Sequence, residues 1–331
     1  MSYIAVIGAG SWGTTLARLL AEKNYDVSLW VFEKDLCEEM TKTGINSLYL
    51  PDFPIPNGVS ITNDIEKAVT KARYVLTVVP TQYTRPALRA ALPFLSPDAV
   101  IINAAKGIER KSLLTVSSII KESSHHRVAA LSGPSFAHEV SRKLPTAVTL
   151  ACEDVETSLL LQEIFNTHYF RVYTHDDILG VELGGALKNV IAIASGISDG
   201  LGLGHNARAA LLTRGLAEIE RLGVAMGAHK HTFAGLSGLG DLILTCTAFL
   251  SRNYSLGTKL AKGMRLGEIL SQSKSVVEGV ATAESAYELS RKYNVQMPFV
   301  EQVYRVLYED KDPALAVTEL MNRTLKTEFN A

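Results

Sequence analysis

The chain has 331 residues, enough for two domains, and its 33 lysines and arginines nearly cancel its 34 aspartates and glutamates. That balance leaves no electrostatic footprint for nucleic acid or an anionic membrane surface. Three cysteines without ligand spacing (Cys37, Cys152 and Cys246) point to reduced thiols, and MSYIAVIGAG lacks the basic lead and apolar core of a signal peptide, so a cytoplasmic protein is expected.

In chain order, YIAVIG (3–8), DVSLW (26–30), YVLTVVP (74–80), AVIINAAKG (99–107), VAALSG (128–133) and TAVTLAC (146–152) read as strands buried on both faces. Amphipathic segments such as TTLARLLAEKN (14–24) fall between several of them. This alternation predicts an α/β fold with a Rossmann-type, doubly wound parallel sheet. The Pro-rich stretch 44–60 reads as irregular loop. Beyond about residue 178 strand signals stop, and helical patterns cover 181–196, 206–222, 253–262, 281–293 and 298–308. Residues 1–179 are therefore expected to form a dinucleotide-binding domain and 180–331 an all-α substrate domain. Lys188 interrupts the best apolar run, so no membrane span is expected.

GAGSWG (8–13) fits GxGxxG directly after the first strand and at the head of the first helix, the setting in which that pattern binds a dinucleotide. Gly8 would make the tight turn, Gly10 would let backbone approach the pyrophosphate, and Gly13 would allow close helix–strand packing. The helix N-terminus would add free N–H donors and a positive dipole end.

Ligands of open α/β sheets sit beyond the carboxyl ends of the strands. Lys106, at the end of AVIINAAKG, and SGPSFA (132–137) occupy such ends, although a solvated lysine and a plain turn fit these stretches equally well. In GALKNVIAIASG (185–196) an apolar helix carries Lys188. The small residues Gly184, Gly185, Ala192 and Ser195 share its face, so something other than long side chains of its own helix is expected to fill the clearing. Desolvation lowers a lysine's pKa toward neutrality, which suits an acid or base; a structural pairing with Glu182 or Asp241 is the alternative. Asp241, after the glycine-rich turn of LSGLGDLILTC, is either a helix cap or a holder of an ammonium group. SRN (251–253) combines an N-cap serine, Arg252 and the amide of Asn253 in a suitable anion pocket, with a surface arginine as the alternative. No histidine has a partner at metal-ligand spacing, so no metal is expected.

These motifs are together specific. From VIGAGSWGTTLA through NAAKGIE, LSGPSFAHEV, ELGGALKNV, GLSGLGDLILTC, SRNYSLG and VVEGV, in collinear order over nearly the whole length, the chain resembles the NAD(P)-dependent glycerol-3-phosphate dehydrogenases of the bacterial short form. The resemblance implies reversible reduction of dihydroxyacetone phosphate to sn-glycerol 3-phosphate, which supplies phospholipid synthesis. It makes Lys188 the catalytic acid/base and places Lys106, Asp241 and Asn189 in the same site. Gly133, Ser135, Ser251, Arg252 and Asn253 would hold substrate with Lys106, and Ser11, Trp12, Ala137, Val276 and Glu278 would contact cofactor, as would Lys106 and Arg252. The oligomeric state is left open, with a homodimer as one option.

After the second strand the chain reads LWVFEKD (29–35), where many bacterial members of the family carry a basic residue at the position of Phe32. Glu33 follows at the distance at which an acidic side chain accepts from the ribose 2′-OH and repels a 2′-phosphate. Of NAD and NADP, NADH is therefore expected to be used at least as well as NADPH. The alternative has Glu33 facing solvent, with Lys34 or Arg18 serving the phosphate.

Overall fold

The computed structural model describes residues 3–273, 275–325 and 327–328. Ten strands are present among them: β1 (Tyr3–Ile7), β2 (Asp26–Trp30), β3 (Ile45–Asn46), β4 (Leu50–Pro54), β5 (Val59–Thr62), β6 (Tyr74–Thr77), β7 (Val100–Asn103), β8 (Arg127–Ser132), β9 (Thr146–Cys152) and β10 (Phe170–His175). Eight form one sheet in the order β10-β9-β8-β7-β6-β1-β2-β5. The direction of strand addition reverses at β1, which opens a crevice between the carboxyl ends of β1 and β6. Register brings Trp30, Ile7, Thr77, Asn103 and Ala130 into one row, so the loops after these strands open on the same edge.

The sheet is parallel except at β8 and β9, which pair antiparallel. The excursion between them, with its short helix Ala137–Ser141, stays at the carboxyl end of the sheet, so β9 sets out from that end. Two strands of this sheet lie outside the expected runs. β5 and β10 occupy the two edges, and β10 alternates buried with exposed residues, a pattern that its sequence FRVYTH carries only weakly. The stretch 44–60 is also ordered: β3 and β4 form a bulged antiparallel hairpin whose Pro51 and Pro54 stand on the exposed strand, where a ladder tolerates proline.

Beyond β10 the described residues are helical. The helix Ile178–Gly200 forms the hub, capped by Asp177, which accepts from Gly180 N at 2.8 Å. It is long and apolar enough to cross a membrane, but 94% of its apolar window is buried inside the protein, as in a core helix. The helix Arg252–Ala261 lies against it backbone to backbone: a Cβ on Gly196 would stand 2.0 Å from Tyr254 O, and one on Gly257 2.1 Å from Ile193 O. The helices Gly204–Ala225, Asp241–Thr247 and Glu278–Lys292 complete the shell around the hub. Cys37, Cys152 and Cys246 are all buried free thiols.

Candidate active site

β1 runs into Gly8 at φ +111°, a conformation that side chains rarely adopt. A Cβ on Gly13 would lie 1.9 Å from Gly8 O, so only glycine lets the helix Ser11–Glu22 start this close to the turn. Gly10, the N-cap of that helix, has open space where a Cβ would project, and no side chain caps the first turn. Asn46, from the hairpin, pins the loop by donating to Ala9 O and Thr14 Oγ1, each at 2.8 Å. Trp12 packs near Phe170, and its indole Nε1 is buried without a partner.

Phe32 is 73% exposed beyond β2 and meets Trp30 edge-on. Glu33 stands at the N-cap position of the helix Lys34–Thr43 and accepts from the Tyr49 hydroxyl at 2.9 Å. Arg18 is turned toward the hairpin, donating to Pro54 O at 2.9 Å beneath the Phe53 ring.

The loops after β7 and β8 face the hub helix and Asp241. Lys188, almost fully buried, donates to Asp241 Oδ1 and, at 2.7 Å, to Thr245 Oγ1. Lys106 donates to Asp241 Oδ2 at 2.7 Å and to Gly133 O at 2.8 Å. Gly133 sits at φ +135°, with Val148 Cα 2.9 Å from where a Cβ would be, and Ser135 Oγ also donates to its carbonyl at 3.0 Å. Asn189 donates to Lys106 O at 3.1 Å and accepts from Asn253 Nδ2 at 2.8 Å. Asn253 in turn accepts from Gly279 N at 3.0 Å. Ser251 caps its helix by accepting from Tyr254 N at 3.2 Å, and the exposed Arg252 donates to Val276 O at 2.8 Å. Glu278 Oε1 accepts from Thr81 N at 2.7 Å, while its Oε2 is buried without a partner, 2.6 Å from where a Cβ on Gly107 would be.

Burial pushes the Lys188 ammonium down to about 8; Asp241 opposes the shift and the nearby Lys106 charge adds to it. Burial likewise pushes the Glu278 carboxyl up to about 7, against the Thr81 donors and the charge of Arg252. A lysine titrating near neutrality, with a second cation close by, can protonate an oxygen on which negative charge is developing. The crevice also fits a dinucleotide. It combines an open Gly10 and an uncapped helix N-terminus with the unpartnered Glu278 oxygen beside Thr81.

Residues 3–158 match the family described as NAD-dependent glycerol-3-phosphate dehydrogenase N-terminus, and residues 177–318 match its C-terminus counterpart. A protein named glycerol-3-phosphate dehydrogenase [NAD(P)+] from Geobacter sp. (strain M21) is 55% identical over 98% of both chains. The chain belongs to the NAD-dependent glycerol-3-phosphate dehydrogenase family. It is accordingly an NAD(P)-dependent oxidoreductase. A relative of the same name from Syntrophobacter fumaroxidans is 52% identical over 98% of this chain and 97% of its own. The crystal structure of glycerol-3-phosphate dehydrogenase from Coxiella burnetii superposes with a TM-score of 0.94 at 41% identity, covering 97% of this chain and 99% of that one.

Within this family member, Lys106, Lys188, Asn189, Asp241 and Asn253 form one connected cluster, joined by Gly133 and Ser135. Arg252, Val276 and Glu278 form a second group at the ends of two helices of the helical domain. Ala137 opens the short helix after β8, and its carbonyl accepts from Thr15 at 3.2 Å. Neighbouring chain fills the clearing around Lys188. A Cβ on Gly184 would meet Ser237 O at 2.6 Å and one on Gly185 would meet Ser132 Oγ at 2.4 Å, so these glycines admit neighbouring chain. Ser195 likewise bonds Cys246 O. Of the two carboxylates considered for Lys188, Asp241 is the partner, whereas Glu182 bonds Asn103 and Ser117 N. Sequence reasoning missed Thr245, although its i+4 spacing from Asp241 was available, and it missed Asn46, for which no local signal exists. Among the described residues, no group of three or more His, Cys, Asp or Glu side chains could hold a metal ion.

Proposed function

We propose that this enzyme reversibly reduces dihydroxyacetone phosphate to sn-glycerol 3-phosphate, with Lys188 as the acid/base at the C2 oxygen, and that it supplies phospholipid synthesis in the cytoplasm. Residues 1–179 serve the cofactor and residues 180–331 the substrate. Bound NAD(P)H supplies the hydride. Gly8, Gly10, Ser11, Trp12 and Gly13 would hold its pyrophosphate end, Phe32 and Glu33 its adenosine, and Lys106, Ala137, Arg252, Val276 and Glu278 the remainder.

In reduction, Lys188 Nζ gives its proton to the oxygen of the reacting carbon, and in oxidation the neutral amine takes it back. Asp241 keeps the lysine aimed, and the second ammonium of Lys106 favours charge on the nascent alkoxide. Lys106, Gly133, Ser135, Asn189 and Asn253 orient the triose, while Ser251 and Arg252 receive its phosphate through a capped helix start and a guanidinium fork. One observation carries this reading: a buried lysine and a neighbouring lysine converge on a single carboxylate at the carboxyl edge of the sheet. The test is NADH and NADPH oxidation with dihydroxyacetone phosphate against unphosphorylated dihydroxyacetone. Turnover should depend on the phosphate, and equal kcat/KM for the two ketones would overturn the assignment.

A further inference from the structure

Glu182 lies on the hub helix ahead of Lys188, and its buried carboxyl takes no part in the lysine cluster. Its Oε1 accepts from Asn103 Nδ2 at 2.6 Å and from Ser117 N at 3.0 Å, and its Oε2 has no partner. Burial raises its pKa, and the Thr115 hydroxyl, Ser117 and Asn103 oppose the rise in that order. Ser117 belongs to the first turn of the helix Val116–Ser123, whose own N-cap, Thr115, makes no side-chain cap bond. The carboxyl therefore caps that helix from outside, at its positive end.

The bond to Asn103 leads toward the active site. Asn103 ends β7; its Oδ1 accepts from Ala105 N at 2.8 Å and its Nδ2 also donates to Ala105 O at 3.2 Å. These bonds close the turn from which Lys106 emerges. An asparagine amide can sit either way round, and its neighbours decide which. Here Ala105 N requires an oxygen on one side and the Glu182 carboxyl requires an N–H on the other, so the two demands select one orientation. The next residue, Lys106, is then held through its carbonyl by Asn189 and through its ammonium by Asp241.

We propose that Glu182 is a positioning residue for Lys106, acting through Asn103. The proposal rests on the reading that Lys106 lines the active site. A glutamate that merely capped the helix would affect folding without touching turnover. A misplaced catalytic group costs rate even when the fold persists.

The experiment measures kcat, KM and Tm for Glu182→Ala, Glu182→Gln, Asn103→Ala and the Glu182→Ala/Asn103→Ala pair, with Lys106→Met alongside. Each alanine variant should lower kcat about tenfold or more. The pair should lose no more than the worse single variant, because both substitutions cut the same connection. Glu182→Gln retains an acceptor and should recover most of the kcat lost in Glu182→Ala. Wild-type kcat in folded Asn103→Ala would overturn the proposal, as would multiplicative losses in the pair. Should Glu182→Ala fail to fold, Asn103→Ala, which leaves the cap intact, still refutes the proposal if its kcat is that of the wild type, and a kcat partly lowered in Glu182→Gln with an unchanged Tm supports it. Wild-type turnover in Lys106→Met would sink the reading of the site itself; an inactive Lys106→Met beside a fully active Asn103→Ala would sink only the positioning role.

Discussion

Lys188 and Lys106 end on opposite oxygens of the Asp241 carboxylate, one from the hub helix and the other from the loop after β7. Two ammonium groups on one carboxylate leave a net positive site where an alkoxide would form, and the carboxylate fixes the aim of both. Lys188→Ala should therefore lower kcat on the order of a hundredfold or more. Nicotinamide cofactor affinity should change little, because Lys188 lies on the hub helix, whereas the glycine loop lies after β1. Steady-state kinetics with a cofactor titration checks both statements, and near wild-type kcat would remove Lys188 from the chemistry.

The depressed lysine sets a pH dependence with opposite signs in the two directions. Lys188 titrates at about 8 in the folded protein. Ketone reduction uses the ammonium form, which is present below that value and lost as pH rises through it. Alcohol oxidation uses the neutral amine, so its kcat should rise over the same window. Both limbs should vanish in whatever activity Lys188→Ala retains. Flat profiles for the wild-type enzyme across this range would contradict the assignment.

Arg252 stands exposed at the head of its helix, beside the Ser251 cap. Arg252→Ala should cost about 2–3 kcal/mol in kcat/KM for the phosphorylated ketone, the scale of a lost charge-assisted pair. The loss should be far smaller for dihydroxyacetone. Equal losses for the two substrates would show that Arg252 does not read the phosphate.

Cofactor choice should follow Phe32 and Glu33. An exposed aromatic ring beside a carboxylate held by Tyr49 offers nothing to a 2′-phosphate, and Arg18 is engaged with the hairpin. NADH should be used at least as well as NADPH, and Phe32→Arg should move preference toward NADPH. The comparison is kcat/KM for both cofactors at saturating ketone. A wild-type preference for NADPH of about tenfold, or about 1.4 kcal/mol, would refute it.

Stability should depend on Glu218, a buried carboxyl whose hydrogen bonds go to Phe299 and Val300. It accepts from Phe299 N at 2.9 Å and Val300 N at 3.3 Å, capping the helix Pro298–Tyr308, whose own N-cap residue makes no side-chain bond. Glu218→Ala should cost about 1–3 kcal/mol of unfolding free energy, the range for stranding buried donors. Burial raises this carboxyl to about 7 from an ordinary 4.5, so its contribution is full below 4.5 and declines as pH rises through 7. Denaturant unfolding at several pH values tests both the size and the sign, and an unchanged midpoint in Glu218→Ala would contradict the capping role.

The parts of this protein legible in its sequence are those governed by neighbours along the chain. β1, β6 and β7 announce themselves as unbroken apolar runs because both faces of each strand are covered. The Gly8–Gly13 turn follows from backbone sterics, and the Ser251 cap from a side chain that reaches only three residues ahead. Tertiary structure decided the rest. β5 and β10 are strands because an edge of the sheet was available to them, and the hairpin at 45–54 forms because its prolines could face outward. Which carboxylate Lys188 meets depended on the close approach of the 236–246 segment to Gly184, a contact between residues far apart in sequence. Composition and spacing determined that a buried lysine had a purpose. Only the packing of chain against glycine determined that its partner is Asp241, and that Glu182 turns instead to Asn103 and the start of a helix.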